Sequence, residues 1–422
     1  MIDPKRIRND EVSVRQGLQN RGCDLQLLDR FVDLDRNWRQ KQTELDKLIN
    51  YRSTMMPKGK PSPEILIELK EVSEKIKSTQ IEVNDCYDKM REVSFLLPNI
   101  PVQGVPIGGS EEDNKLVRQE GVVPSFSFQP KAHEEIGEAL GILDFETGAK
   151  LAGSRFVLYK GWGARLERAL INFMLDVHTS EHGYEEILPP VIVNQDSLIG
   201  TGQLPKFADD CFKISESEYW LSPTAEVQLT NIARDTVIDE SELPINYVAY
   251  TPCFRREAGS YGKDVKGLIR LHQFNKVELV RFVQPEYSNS LLMSLVQHAE
   301  TILKKLELPY QVVELCTGDL GFSSSRTFDL EVWLPSQNKY REISSCSCFT
   351  DFQSRRSMIR YKDKKTGKIN YLHTLNGSGL AIGRTVAAII ENNQKEDGSI
   401  HVPSILRSYM GVEVIPCQII KN

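Results

Sequence analysis

Two heptad runs joined by prolines constrain what this chain can fold into more than any other feature. Leu27, Phe31, Leu34, Trp38, Leu45, Leu48 and Met55 fall on alternating steps of four and three, with Lys41 and Arg52 as polar exceptions. The period restarts with Leu69, Val72, Ile76, Val83, Cys86, Met90, Val93 and Leu97, with Thr79 as its exception. A helix with this repeat exposes one narrow apolar stripe and needs a partner helix to cover it. Between the runs, Pro57-Lys58-Gly59-Lys60-Pro61-Ser62-Pro63 cannot continue a helix, and Pro98 closes the second. The pattern predicts an antiparallel coiled-coil hairpin over about 28–97, each arm roughly 45–50 Å long at about 1.5 Å per residue. Such a hairpin has too little core to sit inside a globule, so it is expected to project. Residues 28–97 hold 13 Lys or Arg and 13 Asp or Glu, so its net charge is zero. A solvated strut fits that balance, and a nucleic-acid arm fits it only if shape, not bulk charge, guides the contact.

A chain of 422 residues, 40% hydrophobic, suits two domains with a sizeable core. The net charge of −6 excludes a global basic field for nucleic acid. The eight cysteines have no framework spacing and read as reduced thiols; the Cys346/Cys348 pair lacks a second half for zinc. No apolar run approaches 18 residues and the first residues lack a signal core, so a soluble cytoplasmic protein with no membrane partner is expected. Residues 1–26 read as a capping segment, with Asp10 as the N-cap of a helix starting at Glu11. Residues 98–130, broken by Pro98, Pro101, Pro106, Pro124, Gly104, Gly108 and Gly109, read as a linker, with the second domain beginning near Ala132. Beyond it an amphipathic helix over 163–178 leads through a short strand to Pro189-Pro190, and further helices are expected over 286–306 and 380–393. Strand-like segments recur near 219–221, 247–251, 253–257, 273–283, 328–334, 340–346 and 371–375. They are mostly consecutive and hairpin-joined, which predicts an α+β domain on an antiparallel β-sheet flanked by helices.

Residues 253–278 concentrate the chemistry. Two apolar-alternating segments flank a loop with Gly259, Gly262 and Gly267, the pattern of a long hairpin. By the two-residue period of a strand, Arg255 and Glu257 share a face, and so do His272, Phe274, Lys276 and Glu278. Arginine forks, an aromatic surface and carboxylates together suit a polyphosphate, a flat base and an amine. Cross-strand ion pairs on a plain surface hairpin fit the same residues. No Gly-x-x-x-x-Gly-Lys-Ser/Thr and no strand-borne Gly-x-Gly-x-x-Gly occurs, so any nucleotide must be held by side chains.

Phe254-Arg255-Arg256-Glu257 and Gly377-Ser378-Gly379-Leu380-Ala381-Ile382-Gly383-Arg384 resemble motifs 2 and 3 of the class II aminoacyl-tRNA synthetases. The helix at 163–178 with Pro189-Pro190 resembles motif 1, which implies a homodimer. Three stretches narrow the resemblance: Thr201-Gly202-Gln203-Leu204-Pro205-Lys206-Phe207, Ser222-Pro223-Thr224-Ala225-Glu226 and Glu342-Ile343-Ser344-Ser345-Cys346-Ser347. With the N-terminal hairpin, the whole chain is similar to the bacterial-type seryl-tRNA synthetases. The resemblance implies a tRNA-binding domain over 1–110, including the arm and linker, and a catalytic domain over 111–422. It implies ATP-dependent ligation of L-serine to tRNA(Ser), and to tRNA(Sec) where present, through a seryl-adenylate, with the arm on the long variable arm of the tRNA.

Site roles follow from the same resemblance. Arg255 and Arg384 are the catalytic arginines; Arg255, Arg256, Glu257, Arg270, Leu271, His272, Phe274, Glu342, Ile343, Ser344, Ser345 and Arg384 form the ATP site. Thr224, Ala225, Glu226, Arg255, Glu278, Asn376 and Ser378 form the serine pocket, and Glu342 with Ser345 would ligate Mg2+. Cys348 stands where the family usually has Asn, and Gln228 where it often has Pro. Taken singly, Glu342 reads better as a structural ion pair, Arg384 as a helix-surface charge and Thr224 as an N-cap; taken together and in this order, they read as site residues. A ligase loading a carrier protein would lack the long arm. A scaffold with a dead adenylation domain should have lost Arg255, Glu278, Glu342 or Arg384, and all four are present.

Overall fold

The computed structural model describes residues 1–56, 61–258 and 266–417. Residues 57–60, expected as part of the turn between the arms, with Lys58 and Lys60, and Gly259 and Gly262, expected in the hairpin loop, lie outside the described residues. The chain divides into two compact units, Met1–Ile100 and Pro101–Asn422.

The first unit is helical. Helices Gln26–Thr54 and Pro63–Leu96 pack along each other over their length. Every expected heptad apolar residue is buried or half-buried, including Phe31, Leu45, Val83, Met90 and Leu97. Two of the three polar exceptions lie in the seam: Lys41 meets Glu82 across it at 2.6 Å and Thr79 is small enough to be buried there, while Arg52 is exposed. Asp10 caps helix Glu11–Asn20 through Ser13 N–H, as its position predicts. A short preceding helix, Pro4–Asn9, is held by Arg8 on the buried carboxylate of Asp35.

The second unit is built on an eight-stranded sheet: β1 (Lys115–Glu120), β2 (Glu185–Glu186), β3 (Ile245–Phe254), β4 (Gln273–Val283), β5 (Tyr310–Glu314), β6 (Arg326–Leu334), β7 (Lys339–Cys348) and β8 (His373–Ala381). The spatial order is β1-β5-β6-β7-β8-β4-β3-β2, antiparallel except for the short β2–β3 pairing at one edge. The stretch expected as linker therefore contributes strand β1, paired with β5. It was illegible as a strand because it is an edge with almost no buried side chain, so nothing forces apolar alternation on it. Helices Trp162–Ser180, Ser288–Lys305 and Ile382–Asn392 cover one face.

Strand β4 shows how one strand serves two faces. Val277, Leu279 and Val283 enter the main core under the helices. The alternate residues Val280 and Phe282 enter a smaller core on the other side with Leu229, Ile359 and Leu372. Continuing that second face toward the start of the strand, Phe274, Lys276 and Glu278 line an open cleft. Among the described residues no helix is long and apolar enough to cross a membrane, and all eight cysteines are unpaired.

Candidate active site

The cleft has a volume of about 750 Å³ and lies on the sheet face opposite the long helices. Thr224, Glu226, Arg255, Glu257, Arg270, Leu271, Phe274, Glu278, Glu342, Ile343, Ser345, Asn376, Ser378 and Arg384 all line it, although they are scattered over 160 positions of sequence, from 224 to 384. Arg256, His272, Ser344 and Ala225 do not line it. Arg256 donates its backbone N–H to Asp210 O at 2.8 Å, and Ser344 is buried with its hydroxyl on Ser378 O at 2.6 Å. Arg255 and Glu257 share the cleft as expected, but not by strand alternation, and His272 does not join them. Strand β3 ends at Phe254 and β4 begins at Gln273, and Glu257 takes a positive φ of 51°. His272 instead holds the turn, its Nδ1 2.9 Å from Arg255 O.

At one end of the cleft the nucleotide-directed groups pair with one another. The Arg255 guanidinium lies over the Phe274 ring, 5.1 Å from its centroid, and donates to Pro223 O at 3.3 Å. Arg270 pairs with Glu257 at 2.7 Å. Arg384, in the first turn of helix Ile382–Asn392, donates to Glu342 O at 2.5 Å and lies 3.5 Å from its carboxylate. The ion-pair readings of Glu257 and Glu342 are thus real contacts. They also prepay the orientation of arginine forks that converge on a polar cleft.

Two bulges place the remaining groups. Residues three apart on a regular strand face opposite sides. Yet Glu342 and Ser345 both line the cleft, because the pairing of β7 with β6 skips Ile343: Leu330 is opposite Ser344 and Glu331 opposite Glu342. A second skip leaves Gly379 of β8 without a partner on β4. A Cβ at that glycine would come within 2.6 Å of His178 Nε2, so the close approach requires glycine. Glu342 and Ser345 are hard oxygen donors on one face, a set that suits Mg2+ carrying phosphate oxygens. Asp329, unremarked in the sequence, stands behind them. Burial, with Glu342 next to it, pushes its carboxyl well above the usual carboxylate range, and it bonds Ser345.

The other end is a small polar pocket. Glu226 is buried and accepts from Gln353 Nε2 at 2.6 Å. Gln353 Oε1 in turn accepts from Thr374 at 2.7 Å. Burial, then the neighbouring Glu278, pushes Glu226 up to about 7. Glu278 accepts from Asn376 Nδ2 at 3.0 Å and forms an ion pair with Lys276. Thr224 Oγ1 accepts from Glu226 N–H at 3.2 Å, although Ala225 and not Thr224 stands at the N-cap of helix Glu226–Asn231, and it also accepts from Lys276 Nζ at 3.0 Å. Two residues not assigned to the site from sequence hold the pocket's acids: Lys276 lines the cleft beside Glu278, and Gln353 bonds Glu226. Lys276 was discoverable, being two residues from Glu278 on one strand face. Gln353 gave no signal, since it meets Glu226 from 127 positions away. The two departures from the family pattern are both structural: Gln228 bridges Ser222 Oγ and Pro190 O, and Cys348 is buried against Thr350 N–H.

An antiparallel sheet with this cleft and arginines aimed into it, in a sequence without either glycine-rich nucleotide-binding motif, is the core of a class II aminoacyl-tRNA synthetase. The family model for the tRNA synthetase class II core domain (G, H, P, S and T) matches residues 211–393, and that for the seryl-tRNA synthetase N-terminal domain matches residues 1–101. A serine–tRNA ligase from Citrifermentans bemidjiense is 53% identical over 419 residues, covering 97% of this chain and 99% of that one. Seryl-tRNA synthetase from Pyrococcus horikoshii, solved with ATP, superposes with a TM-score of 0.93 at 35% identity, covering 98% of this chain and 99% of that one. The cytoplasmic serine–tRNA ligase of Naegleria fowleri, solved with AMP, gives 0.86 at 29% identity, with 96% and 95% covered. The chain belongs to the seryl-tRNA synthetase family.

Proposed function

We propose that this chain joins ATP and L-serine into seryl-adenylate in the cleft and passes the seryl group to tRNA(Ser). The observation that carries the reading is the convergence of a phosphate-directed arginine set and a carboxylate-lined pocket in one cleft. The serine carboxylate attacks the α-phosphorus and pyrophosphate leaves. A ribose hydroxyl at the tRNA 3′ end then attacks the adenylate carbonyl and AMP leaves. No protein nucleophile is needed, so catalysis is positioning and charge neutralisation. Arg255 holds the α-phosphate and the serine carboxylate, Phe274 offers its ring to adenine, and Glu257 accepts from the adenine amino group. Arg270 and Arg384 face the phosphate tail. Glu226 and Glu278 accept from the ammonium and hydroxyl of serine, beside Thr224, Asn376 and Ser378. Glu342 and Ser345 would hold Mg2+, which would neutralise phosphate charge; Asp329 orients Ser345.

The first unit, with helices Gln26–Thr54 and Pro63–Leu96, recognises the long variable arm of the tRNA by shape. The same recognition extends to tRNA(Sec). The chain acts as a homodimer in the cytoplasm, where its substrates are. The apolar stripe of helix Trp162–Ser180 is buried in this chain's own core, so the surface left for a second copy is the motif 1 segment after it. There Leu188 is 88% and Ile192 48% exposed. The test is amino-acid-dependent ATP–pyrophosphate exchange across all twenty amino acids, followed by charging of tRNA(Ser) and tRNA(Sec). Exchange above background with serine alone is expected; exchange with another amino acid and none with serine overturns the reading.

A further inference from the structure

Lys276 is only 7% exposed, yet it carries an ammonium into the pocket assigned to serine. Its position on β4 is between Phe274 and Glu278 on the same face, so its stem forms part of the pocket wall. Its Nζ touches two groups already given to the substrate. It donates to Thr224 Oγ1 at 3.0 Å and pairs with Glu278 Oε2.

Hydrogen-bond valence makes this arrangement directional. A hydroxyl has two acceptor positions and one proton to give. Thr224 Oγ1 takes one donor from Lys276 and another from the Glu226 N–H at 3.2 Å. Both acceptor positions are filled, so the Thr224 O–H must donate, and the open side is the cleft. Glu278 Oε1 takes its donor from Asn376, and Oε2 faces Lys276. Oε2 is buried with no hydrogen-bond donor among the described residues, so spare acceptor capacity remains on Glu278, which lines the cleft.

We propose that Lys276 is a positioning and specificity-determining residue for serine: its ammonium bridges Thr224 and Glu278, so that Thr224 presents a donor and Glu278 an acceptor to the substrate. The inference rests on the reading of this pocket as the serine site. Its physical basis is the crowding of two buried carboxyls, Glu226 and Glu278. The charged groups facing that pair are Lys276 and Arg255, and the other titratable neighbours are Cys253 and Cys346. Remove the lysine charge and two buried carboxyls share the pocket with one cation fewer. One of them then keeps a proton to higher pH, and an acceptor for the serine hydroxyl becomes a donor. A site that has lost its acceptor no longer distinguishes serine from alanine.

The test uses the full-length enzyme in serine-dependent pyrophosphate exchange between pH 6 and 9. Lys276→Met keeps the length of the side chain and removes its charge. Serine KM should rise about ten-fold or more, with ATP KM unchanged and kcat changed much less. The preference for serine over alanine should fall, and the midpoint of the pH dependence of serine KM should move up. Lys276→Arg restores the charge and should recover most of the affinity and the wild-type midpoint. If Lys276 acts through Glu278, adding Lys276→Met to Glu278→Gln should cost much less than it does alone. Three results overturn the proposal: serine KM within two-fold of wild type in Lys276→Met, full multiplication of the two single effects in the double variant, or a kcat loss with KM and pH midpoint unmoved. If Lys276→Met does not fold, Lys276→Arg decides: a serine KM raised ten-fold with a shifted midpoint overturns it, and near wild-type values uphold it. Failure of the wild-type enzyme to exchange with serine would instead sink the reading of the site itself.

Discussion

Serine binding should strengthen about ten-fold between pH 6 and pH 8, and Glu226 should be the cause. Its carboxyl is buried, accepts from Gln353 at 2.6 Å and has Glu278 as a neighbour. Burial first and Glu278 second raise it from the ordinary 4.5 to about 7. With its midpoint there, the ionised fraction is about one-tenth at pH 6 and about nine-tenths at pH 8. The substrate ammonium needs the ionised form, so serine KM should fall by that ratio while ATP KM stays level. The sign of the stability effect is the opposite. A carboxyl raised in the folded state favours folding while it is protonated. That contribution is complete below the ordinary carboxylate range and is lost as pH rises through about 7. It amounts to on the order of 3 kcal/mol for a shift of this size. The serine-free enzyme should therefore be less stable at pH 8 than at pH 6 in this respect, and added serine should narrow the difference. The assay is pyrophosphate exchange with serine titrated at each pH under saturating ATP, with Glu226→Gln alongside. The variant should have a high serine KM that does not change with pH. A flat wild-type profile, or a variant that keeps the wild-type slope, refutes the argument.

Arg255→Ala removes a fork that meets charge developing at the α-phosphate, and activation should slow by about 100-fold or more; single-turnover adenylate formation within a few-fold of wild type would remove Arg255 from that role. Replacing residues 28–97 with a short Gly-Ser linker should leave the second unit folded and serine-dependent exchange intact, because the two units are separately compact. Charging of tRNA(Ser) should collapse, and near wild-type charging by the truncated chain would make the arm a strut. Gly377→Ala drives a Cβ into Leu295 Cδ2 and to 2.8 Å from Cys346 Sγ in a packed core. It should destabilise by about 1–3 kcal/mol, and an unchanged denaturant midpoint would show that the core yields there.

Local periodicity carried a large part of this protein in its sequence. Heptads are a one-dimensional property, so the helices at Gln26–Thr54 and Pro63–Leu96 and the buried seam between them were legible without coordinates. The same holds for β4, whose bounds Gln273–Val283 follow from alternation, and for Phe274, Lys276 and Glu278 on one of its faces. The side chains of the cleft could be named from motifs, but their arrangement could not. Glu342 and Ser345 share a face only because Ile343 is skipped, and a skip is set by the packing of β7 on β6, not by the residues of β7 alone. Arg255 and Glu257 leave the strand register because β3 stops at Phe254. The edge strand β1 has no buried face to write a pattern into. The bond from Gln353 to Glu226, and the one from Lys276 to Thr224, join parts of the chain 127 and 52 positions apart. Sequence thus named most of the groups the site contains, though not Asp329 or Gln353. The fold decided which of them touch, and so which carboxyl is held near neutrality and which is paired, because charge coupling depends on distances of a few ångströms that no linear pattern encodes.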